Sequence, residues 1–304
     1  MSARQASAGF AFVLNLDAER ELAGTARDPF RALETRPALR SALDPLVLDA
    51  RVIDRASPPN GCDGLRGLAF MATPAALAAL ARAGALLPVA PALETLRAVN
   101  HRGFSYALEG APPGVTLAST MDEVARALAR PSPTGAWLLK RPFGFAGKGR
   151  RRAVAFDAAV ESFARRALVE EGGVGVEPLL ERRLDAAIHG FLREDGGLSR
   201  GSVTISTVSL GGSFLGAELD RGGALEAAER RALELEAERV GEALFAAGYI
   251  GPFGVDAFRY ADPRSGAARF LSRCEINARY TMAWAIGMDA HRPDLEGRNS
   301  TTPP

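Results

Sequence analysis

The residues best suited to chemistry fall late in the chain. Asp256 lies in one apolar run, and the next such run carries Arg273-Cys274-Glu275-Ile276-Asn277-Ala278-Arg279. Glu275 and Asn277 are two apart, so on a β-strand both side chains point to one face. Asp256, on the preceding strand, would join them. Three oxygen donors on neighbouring strands are what Mg²⁺ bridging phosphates requires, with water and phosphate oxygens completing the shell; Mn²⁺ would accept the same donors. Two carboxylates buried together are costly without a cation. The competing reading is an exposed polar strand face with a surface salt bridge to Arg273. The turn does not fix the strand register, so the shared face of Asp256 and Glu275 is an inference.

A second constellation precedes it. Trp137-Leu138-Leu139-Lys140 ends a strand-like run, and Gly144, Gly147 and Gly149 follow in a loop that also holds Lys148. Glycines let backbone N–H groups approach an anion closely, and such loops form cationic nests. A lysine adds a full charge beside the phosphates. The loop is not a Walker A sequence, which needs Gly-Lys followed by Ser or Thr, and no G-x-G-x-x-G fits. Taken alone it reads equally well as a hairpin turn. Between the two constellations lies Gly175–Asp185. Glu177 there reads first as a strand-edge charge. The nucleotide reading gives adenine the strand backbone and ribose the carboxylates just beyond.

Other chemistries are poorly supplied. Cys62 and Cys274 make neither a disulfide framework nor a thiolate zinc site, and the three histidines lack zinc-ligand spacing. Cys274, next to Glu275, should point to the opposite face, into the core. No Ser-His-Asp or Cys-His arrangement is evident. A net charge of +1 over 304 residues gives no reason to expect nucleic-acid binding. Met1–Gly9 lacks the apolar core of a signal peptide, and no run is long enough to span a membrane. A reducing cytoplasm is the expected location.

The elements that must position these groups follow from patterning. Phe10–Leu16, Leu46–Ile53 and Ala69–Met71 read as strands, and Thr73-Pro74 starts a helix that stops at Gly84. Alternating strand and helix patterns over 1–95 predict a small parallel α/β domain. Pro91–Ser105 reads as one helix and Met121–Ala129 as another. Ala136–Lys140 and Ala153–Phe156 flank the glycine loop as strands. Asp157 caps a helix running to about Leu168. Leu184–Leu192, Gly201–Ser209 and Phe214–Ala217 fit an antiparallel sheet. Glu226–Ala247 is a long charged helix, and Val255–Tyr260 and Ala268–Ile276 are strands joined by a turn.

In this order the pieces resemble the ATP-grasp family: a small α/β domain, a lysine with a glycine loop, a hinge opening on Glu, then Asp and Glu-x-Asn. The resemblance is diffuse over 1–95 and specific over about 96–288, with Glu275-Ile276-Asn277-Ala278-Arg279 its sharpest motif. It implies an α/β chain (α+β in the later lobes) with an N-terminal domain 1–95, a lobe 96–176 with the glycine loop and a metal-bearing lobe 177–290; the small polar residues at the end read as a disordered tail, 291–304. The resemblance also implies ATP and Mg²⁺ as cofactors. Lys140 resembles the family's phosphate lysine. Arg102 lies where a second such lysine is usual; its other reading is a helix-surface arginine. Gly144, Gly147, Lys148 and Gly149 resemble the phosphate-covering loop. Glu177 and Leu180 resemble the adenine hinge, and Asp185 the ribose acid. Asp256, Glu275 and Asn277 resemble the metal ligands. Arg279 resembles the residue meeting the transferred phosphoryl group or the substrate carboxylate; its other reading is pairing with Glu275. Some peptide-forming relatives place an arginine just before the metal Asp. Gly254 and Val255 stand there instead, leaving Arg279 to serve alone.

The activity implied is an ADP-forming carboxylate–amine ligase, or a carboxylate–thiol one, working on small-molecule acids and amines. The alternatives are a kinase-like relative and a nucleotide-binding scaffold without turnover. A homo-oligomer is compatible with the sequence.

Overall fold

In a computed structural model the chain is described over residues 9–25, 30, 42–48, 50–53, 61–144, 149–209 and 214–296. The first strands form a three-stranded parallel sheet in the order β2-β1-β3, with β1 at Phe10–Val13, β2 at Arg51–Ile53 and β3 at Arg66–Ala69. β1 is buried throughout, as expected for the central strand of a covered parallel sheet. The helix Pro74–Arg82 starts as its sequence predicts, with the Thr73 hydroxyl accepting from the Ala76 N–H. The region Leu46–Ile53 differs from the expected single strand. Asp44–Val47 forms a short helix with Pro45 in its first turn, and only Arg51–Ile53 is extended. Proline suits a first helical turn and outweighed the apolar pattern.

The middle of the chain forms a four-stranded antiparallel sheet, β4-β7-β5-β6. Its strands are β4 at Thr116–Ala118, β5 at Trp137–Lys140, β6 at Arg150–Ala153 and β7 at Val174–Pro178. Helices Met121–Ala129 and Ala158–Glu171 pack on it through Val124, Val160 and Ala164, which meet Leu139 and Val176. The return strand lies earlier than Ala153–Phe156. Its residues are mostly arginines, tolerable because β6 is the sheet edge and can show charged side chains to water. Gly149, at φ +74°, supplies the left-handed turn before β6, and its carbonyl accepts from Arg141 N at 2.7 Å. The expected helix Pro91–Ser105 is two helices, Leu93–Asn100 and Arg102–Ala107, broken at an extended His101. The His101 ring nitrogen caps the second by accepting from Gly103 N at 3.0 Å.

The last sheet has six strands, five of them in the order β11-β10-β8-β12-β13, and β9 pairs with β8. They are β8 at Arg182–Leu192, β9 at Leu198–Arg200, β10 at Thr204–Val208, β11 at Phe214–Leu219, β12 at Gly251–Ala261 and β13 at Ala268–Asn277. The helix Ala227–Ala246 covers one face. Leu233, Ala237, Val240 and Leu244 bury themselves against Ile188, Phe253, Val255 and Ile276, forming the largest core. Arg273 reaches the same side, where it is fully buried and paired with Glu236. The opposite face carries Asp256 and its neighbours.

The N-terminal sheet is seated against this lobe by Phe12 and Phe70, which pack with Tyr280, Trp284 and Met288. Residues 292–295, expected to belong to a tail, are packed instead. Asp294 is buried and accepts from the Tyr280 hydroxyl at 2.9 Å, and Arg292 donates to the Leu46 carbonyl at 3.2 Å. Residues 297–304 lie outside the described residues.

Candidate active site

β12 and β13 settle the register that the turn left open. Asp256 stands directly opposite Glu275, and Gly254 opposite Asn277. The three candidate metal ligands therefore share one face, away from the long helix. The face is not an exposed polar surface. Asn277 is buried, Asp256 and Glu275 are half-buried, and Arg273 is engaged elsewhere. Asn277 donates to Asp256 Oδ2 at 3.0 Å.

Glu275 takes its ion pair from the helix Arg102–Ala107. Arg102 donates to Glu275 Oε1 at 3.0 Å and to the Arg141 carbonyl at 2.9 Å, while its backbone N–H donates to the Pro142 carbonyl at 3.2 Å. Arg102 is thus no helix-surface residue. The break at His101 aims it at the junction between the end of β5 and the acidic face. Burial opposes its charge, but Glu275, with Glu177, outweighs burial and holds the guanidinium above its ordinary value. Burial likewise favours the neutral acid at Glu275, yet Arg102 and Lys140 hold that carboxyl below its usual range. Asp256 goes the other way. Burial, then the Glu275 charge, push it up to about 6 against the pull of Arg279 and the Asn277 hydrogen bond.

Lys140 ends β5 and is buried, with Nζ 2.7 Å from Glu177 Oε2. Glu177 Oε1 accepts from the Tyr106 hydroxyl at 2.5 Å. Tyr106 follows Arg102 by one helical turn, so a single helix delivers both groups to the site. Gly175 makes room for it: a Cβ there would lie 2.6 Å from the Tyr106 oxygen. Glu177 therefore presents a carboxylate to Lys140, a contact beyond the hinge role implied by resemblance.

The remaining expected residues are distributed as follows. Leu180 packs against Phe258, Leu271 and Cys274 in a small apolar cluster. Cys274 was expected to face the main core. A register shift between Asp256 and Phe258 turns it to the Phe258 side instead. Asp185 lies opposite Phe258 on β8, accepts from Arg182 at 2.7 Å, and belongs to the Asp256 face. The Arg182 guanidinium covers the Phe258 ring at 4.2 Å. Gly144 and Gly149 border the loop, while Gly147 and Lys148 lie outside the described residues.

Among the described residues the Arg279 ion pair is with Glu19, although its charge also helps to lower the Glu275 pKa. Its guanidinium donates to Glu19 from the N-terminal domain, to the Tyr280 carbonyl at 2.9 Å, and to Asn277 Oδ1 at 2.8 Å. It lies over the Phe70 ring at 5.2 Å. Glu19 Oε2 is buried with no hydrogen-bond partner among the described residues. Burial pushes the Glu19 carboxyl up despite Arg279.

No family model matches the sequence, and no curated protein matches it. Solved structures do match. D-alanyl-alanine synthetase A from Vibrio cholerae aligns at a TM-score of 0.54 and 12% identity, covering 93% of this chain and 92% of that one. Pyruvate carboxylase from Rhizobium etli aligns at 0.52 and 17%, covering 92% of this chain. Biotin carboxylase from Campylobacter jejuni, solved as a β,γ-ATP complex, aligns at 0.50 and 13%, covering 94% of this chain and 72% of that one. All three share one architecture. The chain has the ATP-grasp fold. It spans 27% of the length of the pyruvate carboxylase.

Within the ATP-grasp fold of this chain, three contributors escaped the sequence reading. Tyr106 had a signal, its one-turn spacing from Arg102. Glu19 and Arg182 had none, because a distant ion pair and a ring contact leave no periodic trace. Among the described residues no three His, Cys, Asp or Glu side chains form a metal-binding group. The donors available are two carboxylates and an amide. That set fits Mg²⁺ held jointly with phosphate oxygens and water, and the raised Asp256 marks carboxylates placed where a cation would relieve them.

Proposed function

We propose that this chain is an ATP-dependent ligase that activates a small-molecule carboxylate as an acyl phosphate for attack by an amine, releasing ADP and phosphate. The observation that carries the reading is the ion pair of Arg102 with Glu275, together with a Lys140 charge near enough to lower the same carboxyl, on the face bearing Asp256, Glu275 and Asn277. Neighbours of the same fold include a D-alanyl-alanine synthetase and two carboxylases, which supports ATP-driven carboxylate chemistry here.

In this reading Lys140 and Arg102 hold the phosphates, Leu180 lies beside the base, and Asp185 accepts from the ribose hydroxyls. Glu177 holds the Lys140 ammonium in place. Asp256, Glu275 and Asn277 would hold Mg²⁺, which would supply positive charge beside the phosphates. Arg279 steadies the substrate carboxylate and the transferred phosphoryl group. One carboxylate oxygen bonds to the γ-phosphorus as the bond to the β-phosphate oxygen breaks. The amine nitrogen then bonds to the carbonyl carbon, phosphate leaves, and the nitrogen loses a proton. No protein nucleophile is required; the chain contributes position and charge.

The test is nucleotide analysis during a screen of carboxylic acids with hydroxylamine as the trapping amine. ADP, phosphate and a hydroxamate are the expected products. AMP with pyrophosphate would replace this reading with adenylation, and a stable phosphorylated product without hydroxamate would replace it with a kinase.

A further inference from the structure

A second concavity lies on the other side of Arg279. The edge strand β3, the connection Leu86–Pro91 and the paired ends of β8 and β12 enclose a cavity of about 890 Å³. Leu68, Leu87, Val89, Leu96, Phe191 and Ile250 contribute its apolar walls. Leu87 and Val89 are 53% and 63% exposed, which is unusual for two neighbouring aliphatic side chains on one short connection. Several of the charges at the rim are engaged locally. Arg193 lies 3.4 Å from Asp195, Asp294 is held by Arg292 at 2.7 Å, and Arg66 donates to the Leu295 carbonyl at 2.8 Å. Arg279 lines the cavity and also bonds Asn277, so one side chain joins the cavity to the acidic cluster.

We propose that this cavity holds the body of the substrate acid, and that the acid is apolar: an aromatic or medium-chain carboxylic acid with its carboxylate directed to Arg279. The size matches pockets that enclose drug-sized ligands, roughly 300–1,000 Å³. A small polar acid would leave the walls facing water and gain nothing from them. The Arg279 guanidinium, held in place by Glu19, lies at the inner end and orients the carboxylate inward. The fate of that carboxylate rests on the ligase reading; its binding does not.

The experiment is calorimetric titration of the full chain, without nucleotide, using phenylpropionate, octanoate, acetate and phenylpropanamide. Phenylpropionate or octanoate binds at least tenfold more tightly than acetate and the amide. Val89→Glu, at an exposed position, weakens that binding at least tenfold while leaving the thermal shift produced by ATP with Mg²⁺ unchanged. Failure of both apolar acids to bind, or unchanged affinity in Val89→Glu, overturns the proposal. If the acids bind but no acid in the screen yields ADP, the cavity assignment stands and the ligase reading falls. If ADP forms only with small polar acids, the cavity assignment falls and the ligase reading stands.

Discussion

The Tyr106 hydroxyl donates to Glu177 at 2.5 Å, and the other Glu177 oxygen lies 2.7 Å from Lys140. Burial, then the Glu177 charge, raises the Tyr106 pKa well above its ordinary value, so the phenol keeps its proton and stays a donor. The carboxylate is fixed from one side by a neutral group and from the other by the cation.

Removing the fixed donor tests whether Glu177 positions Lys140. Tyr106→Phe loses a charge-assisted hydrogen bond, worth about 1.5–3 kcal/mol. The expected result is a KM for ATP raised about tenfold, equivalent to ~1.4 kcal/mol, with the circular dichroism spectrum unchanged. An unaltered KM in the folded variant would show that Lys140 is held without help from Tyr106.

Asp256→Asn separates the cost of the acidic face from its use. The carboxyl titrates at about 6 in the folded chain against an ordinary 3.8, so the folded state binds the proton more strongly. Stability attributable to this group is complete below pH 3.8 and is lost as pH rises through about 6. At pH 7.5 without metal, Asp256→Asn should therefore be more stable than the parent, by at most about 3 kcal/mol. The advantage should vanish near pH 4. ADP formation should fall at least a hundredfold, on the order expected for losing a charged metal ligand. Urea melts at the two pH values and a nucleotide assay check both statements.

The Arg273–Glu236 pair tests the opposite side of the same sheet. Both side chains are almost wholly buried, and Arg273 also donates to the Leu108 and Glu109 carbonyls at 3.0 and 2.9 Å. Glu236→Leu alone leaves a buried guanidinium without its counter-charge and should cost about 3–5 kcal/mol. The double variant Glu236→Leu with Arg273→Met should cost clearly less, because no charge is stranded. Equal losses in urea denaturation would mean that the carbonyl contacts, and not the ion pair, set the cost.

What was legible in the sequence follows from how locally each feature is encoded. Thr73 and Asp157 mark helix starts through their capping side chains, and both starts were readable, while the second helix runs to Glu171, past the expected end near Leu168. Glu275 and Asn277 were placed on one face by alternation alone, and the opposition of Asp256 needed only the strand pairing. The misread elements are those where local preferences compete. Pro45 diverted an apolar run into a helical turn, and His101 divided a helix that periodicity alone would continue. The orientation of Cys274 was lost because a bulge overrides alternation, and bulges have no reliable signature in one sequence. Partners such as Glu19 for Arg279 and Glu236 for Arg273 join segments far apart in the chain, which single-residue types cannot announce.

The contact between Glu19 and Arg279 bears on how such a chain can be recombined. The groups assigned to phosphate and metal all come from residues after Ala92, and they would travel intact into a chimera carrying a foreign first domain. The carboxylate that aims Arg279 would not. A transplanted domain would have to place an acid at the start of the helix after its first strand, as Ala18–Leu22 does here. Exchange of specificity by domain swapping is therefore confined to donors that preserve this one acid, whereas exchange of the walls around Leu87 and Val89 leaves it untouched.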